Sequence, residues 1–202
     1  IVAADIPGVN DVGPIQHDDP VFAEDVVQFV GQPVFAVAAT SVRAARRAAR
    51  LATFDIDVLP PILTIAEAMA AQSFVLPPVH VTRGNAAAAL ARAPHRLQGA
   101  VEAGGQDHFY LEGQIAFAIP RERGGMHIFT STQHPGEVQH MVAHVLGIAA
   151  HDVVVECRRM GGGFGGKETQ MSLFACAAAL VAPLTGRAAK LRLDRDDDMR
   201  ST

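Results

Sequence analysis

The pattern of apolar and polar positions predicts short strands and helices that alternate along the chain. Residues 54–58 alternate apolar and acidic side chains, which indicates a half-buried strand. Residues 136–146 instead place apolar side chains on one helical face, and Gly147 is a typical end of a helix. We predict the other helices at 41–52, 64–72, 84–93 and 168–180. We predict the other strands at 26–30, 33–39, 95–102, 109–119, 126–130, 152–156 and 190–193. This pattern is typical of an α+β (mixed α/β) fold.

Prolines divide this pattern into two parts. Pro60-Pro61 follows the strand at 54–58, and a second Pro-Pro pair at 77–78 indicates an extended connector. We therefore predict one domain at residues 1–60, a connector at 61–80 and a second domain at 81–202. A chain of 202 residues is long enough for one or two domains.

A glycine-rich loop lies between a predicted strand and a predicted helix. Residues 161–166 include five glycines, so the main-chain N–H groups have little side-chain cover. The following helix would place its unpaired N–H groups and the positive end of its dipole near the same loop. The loop therefore favours an anionic ligand, such as a cofactor with a phosphate group. An alternative is that the glycines only form a tight turn.

Two common nucleotide-binding motifs fit this loop incompletely. The glycines at 161, 163 and 166 satisfy G-x-G-x-x-G, but residues 185–188 offer no acidic side chain at the distance a dinucleotide site requires. Residues 161–167 also satisfy G-x-x-x-x-G-K. The next residue is Glu168, where a P-loop has the Ser or Thr that binds Mg²⁺.

Residues 159–169 resemble the molybdenum-cofactor loop of the xanthine oxidase family of molybdenum hydroxylases. Residues 104–112 and 131–135 are similar to further segments of that family, so the resemblance extends over nearly the whole chain. The Lys167-Glu168 ending is typical of the purine-oxidising branch, the xanthine dehydrogenases.

The resemblance implies a domain identity for each part of the chain. Residues 1–60 would form the C-terminal part of a hammerhead-like domain, and residues 81–202 the N-terminal part of a molybdenum-cofactor-binding domain. Both domains would be partial, so the chain is expected to be a fragment of a longer subunit.

The resemblance also implies which residues bind the cofactor. Gln133 would donate a hydrogen bond to an oxo ligand of the molybdenum, and Gly163, Phe164 and Gly165 would contact the cofactor. From the sequence alone, Phe164 could equally pack into the core and hold the loop in place.

Glu168 would bind the purine, although its place near a helix start also suits a capping carboxylate. The family's catalytic Glu is expected beyond residue 202, so we expect no catalytic residue in this chain. The isolated chain would therefore bind the cofactor poorly and catalyse no reaction.

The implied reaction is oxidation of xanthine or hypoxanthine at a purine carbon, with oxygen derived from water. The cofactor would be molybdopterin, and electrons would pass through Fe–S centres and FAD, on other domains or subunits, to NAD. The partners would be the purine substrate, the Fe–S/FAD subunit and the remainder of the molybdenum subunit. The alternatives are a hydroxylase acting on an aldehyde or another N-heterocycle, a nucleotide-binding protein, and a non-catalytic domain.

The composition excludes several other classes of protein. Hydrophobic residues make up 49% of the chain and charged residues 19%, which indicates a folded globular protein. The net charge of −4 gives no reason to expect binding to nucleic acid or to an anionic membrane. Cys157 and Cys176 lie in different predicted elements, so we expect two free thiols in a cytoplasmic protein.

Overall fold

The computed structural model describes all 202 residues and divides the chain into two units. One unit comprises residues 1–52 and 106–202, and the other comprises residues 53–105. The helices are α1 (Val42–Ala49), α2 (Ile65–Ala70), α3 (Ala86–Arg92), α4 (Pro135–Leu146), α5 (Gln170–Thr185) and α6 (Arg195–Ser201). The strands are β1 (Ile115–Pro120), β2 (Met126–Thr130), β3 (Val153–Glu156) and β4 (Ala189–Arg192). The predicted α+β class is confirmed.

All four strands form one sheet in the order β3-β2-β1-β4. The tight connection at residues 121–125 joins β1 and β2 as an antiparallel hairpin, and β4 pairs antiparallel to the other side of β1. In contrast, β2 and β3 are parallel, and α4 forms the crossover between them. This crossover agrees with the requirement that parallel neighbours be joined by a long connection.

One face of the sheet is covered by α4 and α5, and the core lies between these layers. Ala116 and Ala118 of β1 are fully buried, as are Ala175 and Ala179 of α5. Small side chains on both elements let the helix backbone approach the sheet closely. The larger core side chains, among them Ile128 of β2, fill the remaining space.

The longest helix, α5, has ten buried residues among its 16 and no charged side chain in its first or last turn. It is nevertheless too short to cross a bilayer, and no other helix of the chain is long and apolar enough to do so. Cys176 is buried within it, and burial raises the pKa of its thiol above the ordinary value. Cys157 is partly exposed, and both cysteines are free.

The strand directions bring several chain segments to one end of the sheet. Because β2 and β3 are parallel, the residues that follow them emerge at the same edge. The pairing of Ile115 with Arg192 places the start of β1 and the end of β4 at that edge as well. Four segments therefore converge there: residues 110–114, 131–134, 157–169 and 193–198.

The predicted helices all form, with ends that differ by a few residues from the predicted ones. Local capping explains this agreement. The hydroxyl of Ser41 accepts a hydrogen bond from the main chain of Ala44 at the start of α1. Thr64 and Glu67 form a capping box at the start of α2, and Gly147 ends α4 in the left-handed conformation.

Several predicted strands were wrong. No strand forms at residues 26–30, 33–39, 54–58 or 95–102, and β1 starts at Ile115 rather than at residue 109. A strand needs a neighbour for its main-chain hydrogen bonds and a surface for its apolar face. The unit at residues 53–105 has no buried residue, so no core covers its alternating apolar side chains.

The glycine near the start of α4 and the glycine that ends it are expected to respond in opposite ways to substitution by alanine. Gly136 has an ordinary helical backbone with no atom near an added Cβ, so Gly136→Ala should stabilise the protein by about 0.4–1 kcal/mol. Gly147 has φ +66°, so Gly147→Ala should destabilise it by about 1–2 kcal/mol. Denaturant unfolding of both variants measures the difference. A loss of stability in Gly136→Ala would contradict the described start of α4.

Candidate functional site

The glycine loop contains a tight turn at the end of the sheet where the segments converge. The N–H of Gly166 donates to the carbonyl of Gly163 at 2.8 Å, and the two residues between them have φ values of +54° (Phe164) and +95° (Gly165). Positive φ at both central positions is a feature of the type I′ turn. For Phe164 this conformation costs roughly 1–3 kcal/mol, and such strain is concentrated at functional sites.

Gln133 follows β2 and holds this turn in place. Its side-chain oxygen accepts hydrogen bonds from the N–H groups of Gly165 (2.9 Å) and Lys167 (3.4 Å). Its own main-chain N–H donates to the carbonyl of Lys167 at 2.8 Å. The side-chain Nε2 has no hydrogen-bond partner within the chain. One end of the amide is therefore fixed on the loop, and the other is available to a ligand.

Gly163 is required by the close approach of Gln133. A Cβ at residue 163 would lie 2.7 Å from Cδ of Gln133, so any side chain would displace the amide. Gly163 is itself buried beneath this contact.

Phe164 is not packed in the core. Its side chain is 75% exposed and lies beside Gly162, where an added Cβ would be 3.2 Å from the ring. The alternative that Phe164 packs into the core is therefore wrong, and its side chain lies at the surface. The exposed ring remains available for contact with a ligand.

Glu168 is exposed, and its carboxylate makes no hydrogen bond or ion pair within the chain. It lies one residue before Thr169, the N-cap of α5, and no side chain caps this helix. The alternative of a capping role is therefore wrong. The structure leaves the Glu168 carboxylate free beside the glycine loop.

Glu112, three residues before β1, binds the start of the loop. Its Oε2 accepts hydrogen bonds from the hydroxyl of Ser131 (2.6 Å) and from the N–H of Gly161 (2.8 Å). Partial burial acts to raise the pKa of Glu112, but these bonds and nearby Lys167 hold it below its ordinary value. The carboxylate therefore stays charged at neutral pH.

Lys167 is fully buried at the other end of the loop. Its ammonium group faces three oxygens: the carbonyl of Glu112 at 2.5 Å, the hydroxyl of Ser131 at 2.9 Å and Oε2 of Glu112 at 3.5 Å. It also lies 4.6 Å from the ring centroid of Tyr110. Burial lowers the pKa of Lys167 below its ordinary value, and Glu112 opposes this effect.

A second group of buried side chains contacts the loop from the interior of the protein. Nε2 of Gln114 donates to the hydroxyl of Tyr110 and to the carbonyl of Gly166, each at 2.8 Å. The Tyr110 hydroxyl in turn donates to Asp198 of α6 at 2.8 Å. Burial raises the pKa of Tyr110 to about 12, so the phenol remains a hydrogen-bond donor.

No role was predicted from the sequence for Glu112, Ser131, Gln114 or Tyr110, whereas Lys167 was expected to be structural and to pair nearby. The available signal was position: Glu112 precedes β1, Ser131 follows β2 and Lys167 lies in the loop after β3. Polar residues at the ends of adjacent strands meet at one edge of a sheet. However, Glu112 and Lys167 are 55 residues apart, so their pairing depends on the strand order.

The unused donors determine which ligand the site fits. Besides Nε2 of Gln133, the N–H groups of Gly162, Gly163 and Phe164 make no hydrogen bond within the chain. The N–H of Gly165, in contrast, is already bound to Gln133. A ligand with several oxygen acceptors, such as the phosphate of molybdopterin together with an oxo ligand of its molybdenum, fits these donors.

A separate groove of about 600 Å³ lies along α1, the end of α5 and β4. No residue of the glycine loop lines it, and neither does Gln133. The candidate site is therefore the open surface around the loop and not this groove.

Comparison with known families matches both parts of the chain. Residues 68–202 match the molybdopterin cofactor-binding domain, and residues 1–60 match the a/b hammerhead domain of aldehyde oxidase and xanthine dehydrogenase. The chain is 45% identical over 195 residues to a xanthine dehydrogenase of Drosophila subobscura, and covers 14% of it. It is 42% identical over 200 residues to a xanthine dehydrogenase/oxidase of Gallus gallus, and covers 15% of that protein. These matches include 96% and 98% of this chain.

Solved structures show the same fold. The quinoline 2-oxidoreductase of Pseudomonas putida 86 matches 98% of this chain at a TM-score of 0.79 and 26% identity, over 27% of its own length. The aldehyde oxidoreductase of Desulfovibrio gigas matches the whole chain at a TM-score of 0.82 and 23% identity, over 24% of its length. The chain thus spans about one seventh of the matched xanthine dehydrogenases and a quarter of these solved chains. Its two domain matches and its sequence identity show that the chain belongs to the xanthine oxidase family of molybdenum hydroxylases.

Proposed function

We propose that the protein containing this chain is a molybdenum hydroxylase that oxidises xanthine or hypoxanthine at a purine carbon. The principal observation is that two polar groups without partners, Nε2 of Gln133 and the carboxylate of Glu168, lie beside one strained glycine turn. A donor and an acceptor next to the same turn suit a site that binds an oxygen-rich cofactor and an N–H-bearing substrate together.

Gln133 orients the cofactor. When bound, the molybdenum held by molybdopterin would supply the redox centre and the transfer of water-derived oxygen. The bond from Gly165 to Oε1 of Gln133 prevents the amide from reversing, so Nε2 presents its N–H groups outward. Nε2 and the free N–H of Phe164 then donate to cofactor oxygens, with Gly163 and Gly165 providing the turn that sets their positions.

Glu168 recognises the purine. Its free carboxylate accepts a hydrogen bond from a ring N–H of the substrate. A site built around such a bond discriminates strongly, because a substrate that lacks the N–H leaves a desolvated carboxylate unpaired.

Other parts of the enzyme complete the site. Gln133, Phe164 and Glu168 are all exposed in this chain, and the matched xanthine dehydrogenases are about seven times longer. We propose that the remainder of the molybdenum subunit provides the other walls and the catalytic Glu. Fe–S centres and FAD on other domains or subunits pass the electrons to NAD, and the enzyme is cytoplasmic.

A second candidate is a hydroxylase for an aldehyde or another N-heterocycle. The solved structure of quinoline 2-oxidoreductase, at 26% identity, favours this candidate because its name specifies a heterocycle other than a purine. Glu168 distinguishes the two functions, since an aldehyde has no N–H to donate to it.

Glu168→Ala should lower kcat/KM for xanthine roughly 10- to 100-fold in the complete enzyme, because a hydrogen bond to a charged group is lost. Activity on a small aldehyde should change much less. Steady-state kinetics with both substrates measures the difference, and Glu122→Ala, an exposed glutamate in the β1–β2 connection, is the matched control. Equal losses on both substrates would exclude purine recognition by Glu168.

Gly163→Ala should reduce the molybdenum and pterin content of the complete enzyme, because the added Cβ displaces the Gln133 amide. Gln133→Ala in the same background removes the clash, so the double variant should regain the stability lost by Gly163→Ala and still lack cofactor. Metal analysis and thermal unfolding separate the two effects, with Gly136→Ala as the control. Full cofactor content in Gly163→Ala would support the alternative that the glycines only form a turn.

A further inference from the structure

Lys167 is linked to both groups that the proposed function requires, the Gln133 amide and the Glu168 carboxylate. Its main chain exchanges two hydrogen bonds with Gln133: its carbonyl accepts from the Gln133 N–H, and its N–H donates to Oε1 of Gln133. The hydroxyl of Thr132 also donates to the Lys167 carbonyl, at 3.2 Å. The next residue is Glu168. Any movement of Lys167 therefore changes the position of the Gln133 amide and that of the Glu168 carboxylate together.

The side chain of Lys167 fixes this position from inside the protein. The ammonium group is fully buried, and all of its three oxygen neighbours belong to Glu112 or Ser131. Glu112 also accepts from the N–H of Gly161, and its own N–H donates to the Gly161 carbonyl at 3.2 Å. The Lys167–Glu112 pair thus joins both ends of the glycine loop to the segment before β1.

Stability alone gives a weak explanation for this pair. Burying an ammonium group costs several kcal/mol, and a well-packed apolar pair of similar size is often as stable as a buried ion pair or more so. An ion pair does add geometric restriction, because its hydrogen bonds require particular directions and distances. The location of the pair, directly beneath the candidate site, makes this restriction useful for function.

We propose that Lys167 and Glu112 are positioning residues that set the separation between the Gln133 amide and the Glu168 carboxylate. This inference rests on the proposed function, in which Gln133 orients the cofactor and Glu168 binds the substrate. The pair touches neither ligand. It acts through the main chain of the loop, so that cofactor and substrate are held in one geometry.

The test uses the complete enzyme with four variants: Lys167→Met, Glu112→Gln, the double variant, and Arg46→Met as the matched control. Arg46 forms ion pairs with Asp194 and Asp197 and makes no hydrogen bond or ion pair with residues 161–168, so its replacement removes a cation without removing a direct contact to the loop. Three quantities are measured: molybdenum and pterin content, amide hydrogen exchange of residues 161–168, and turnover per bound molybdenum.

For Lys167→Met we expect amide exchange in residues 161–168 to accelerate about tenfold or more, since the loop loses its support. Turnover of xanthine per bound molybdenum should fall about 10- to 100-fold, because a small displacement of reacting groups has a large effect on rate. Turnover of an aldehyde should fall less, which a general loss of stability would not produce. The double variant should be no worse than the more affected single variant, because the two residues act as a unit.

Two outcomes overturn the inference. One is that Lys167→Met has the same molybdenum content, the same amide exchange rates in residues 161–168 and the same turnover as Arg46→Met. The other is that xanthine and aldehyde turnover per molybdenum fall equally. A parent enzyme that contains no molybdenum would instead refute the proposed function, and the hydrogen-exchange comparison would then still decide whether the pair holds the loop.

Discussion

The buried ammonium group of Lys167 is the interaction on which the candidate site depends. It can be buried only because Glu112 and Ser131 supply oxygens in the right directions, and these two residues come from the ends of different strands. The sheet, the glycine loop and the segment before β1 must therefore be correctly placed at the same time. The exposed groups of the site, the Gln133 amide and the Glu168 carboxylate, obtain their positions from this internal arrangement.

The sheet topology explains why these residues meet. The parallel pairing of β2 and β3 brings Gln133 and the glycine loop to the same edge, and β1, in the antiparallel direction, begins there. The small residues of β1 and α5 permit close packing of helix on sheet, which keeps the start of α5 near the loop. The site is thus a product of strand direction combined with a closely packed core.

Local features of the fold could be predicted from the sequence, and features that depend on distant neighbours could not. The start of α2 is determined by Thr64 and Glu67 alone, so it was predicted correctly. The predicted strand at residues 54–58 does not join the sheet, and an alternating pattern cannot reveal whether a neighbouring strand is in place to pair with it. In the site, the glycine loop was evident from its composition. The exposure of Phe164 and the pairing of Glu112 with Lys167 depend on a backbone angle and a strand order that composition does not contain.

The glycines at 161, 163 and 166 have a further consequence for how homologous sequences are interpreted. An added Cβ at residue 161 would collide with Glu112, and one at residue 163 with Gln133. A Cβ at residue 166 would collide with His108 and Tyr110. Purifying selection on folding would therefore preserve these three positions even in a descendant that had lost its cofactor. The glycine pattern records common ancestry, whereas retention of the unpaired amide of Gln133 and the unpaired carboxylate of Glu168 would be the better evidence that a paralogue is still an active enzyme.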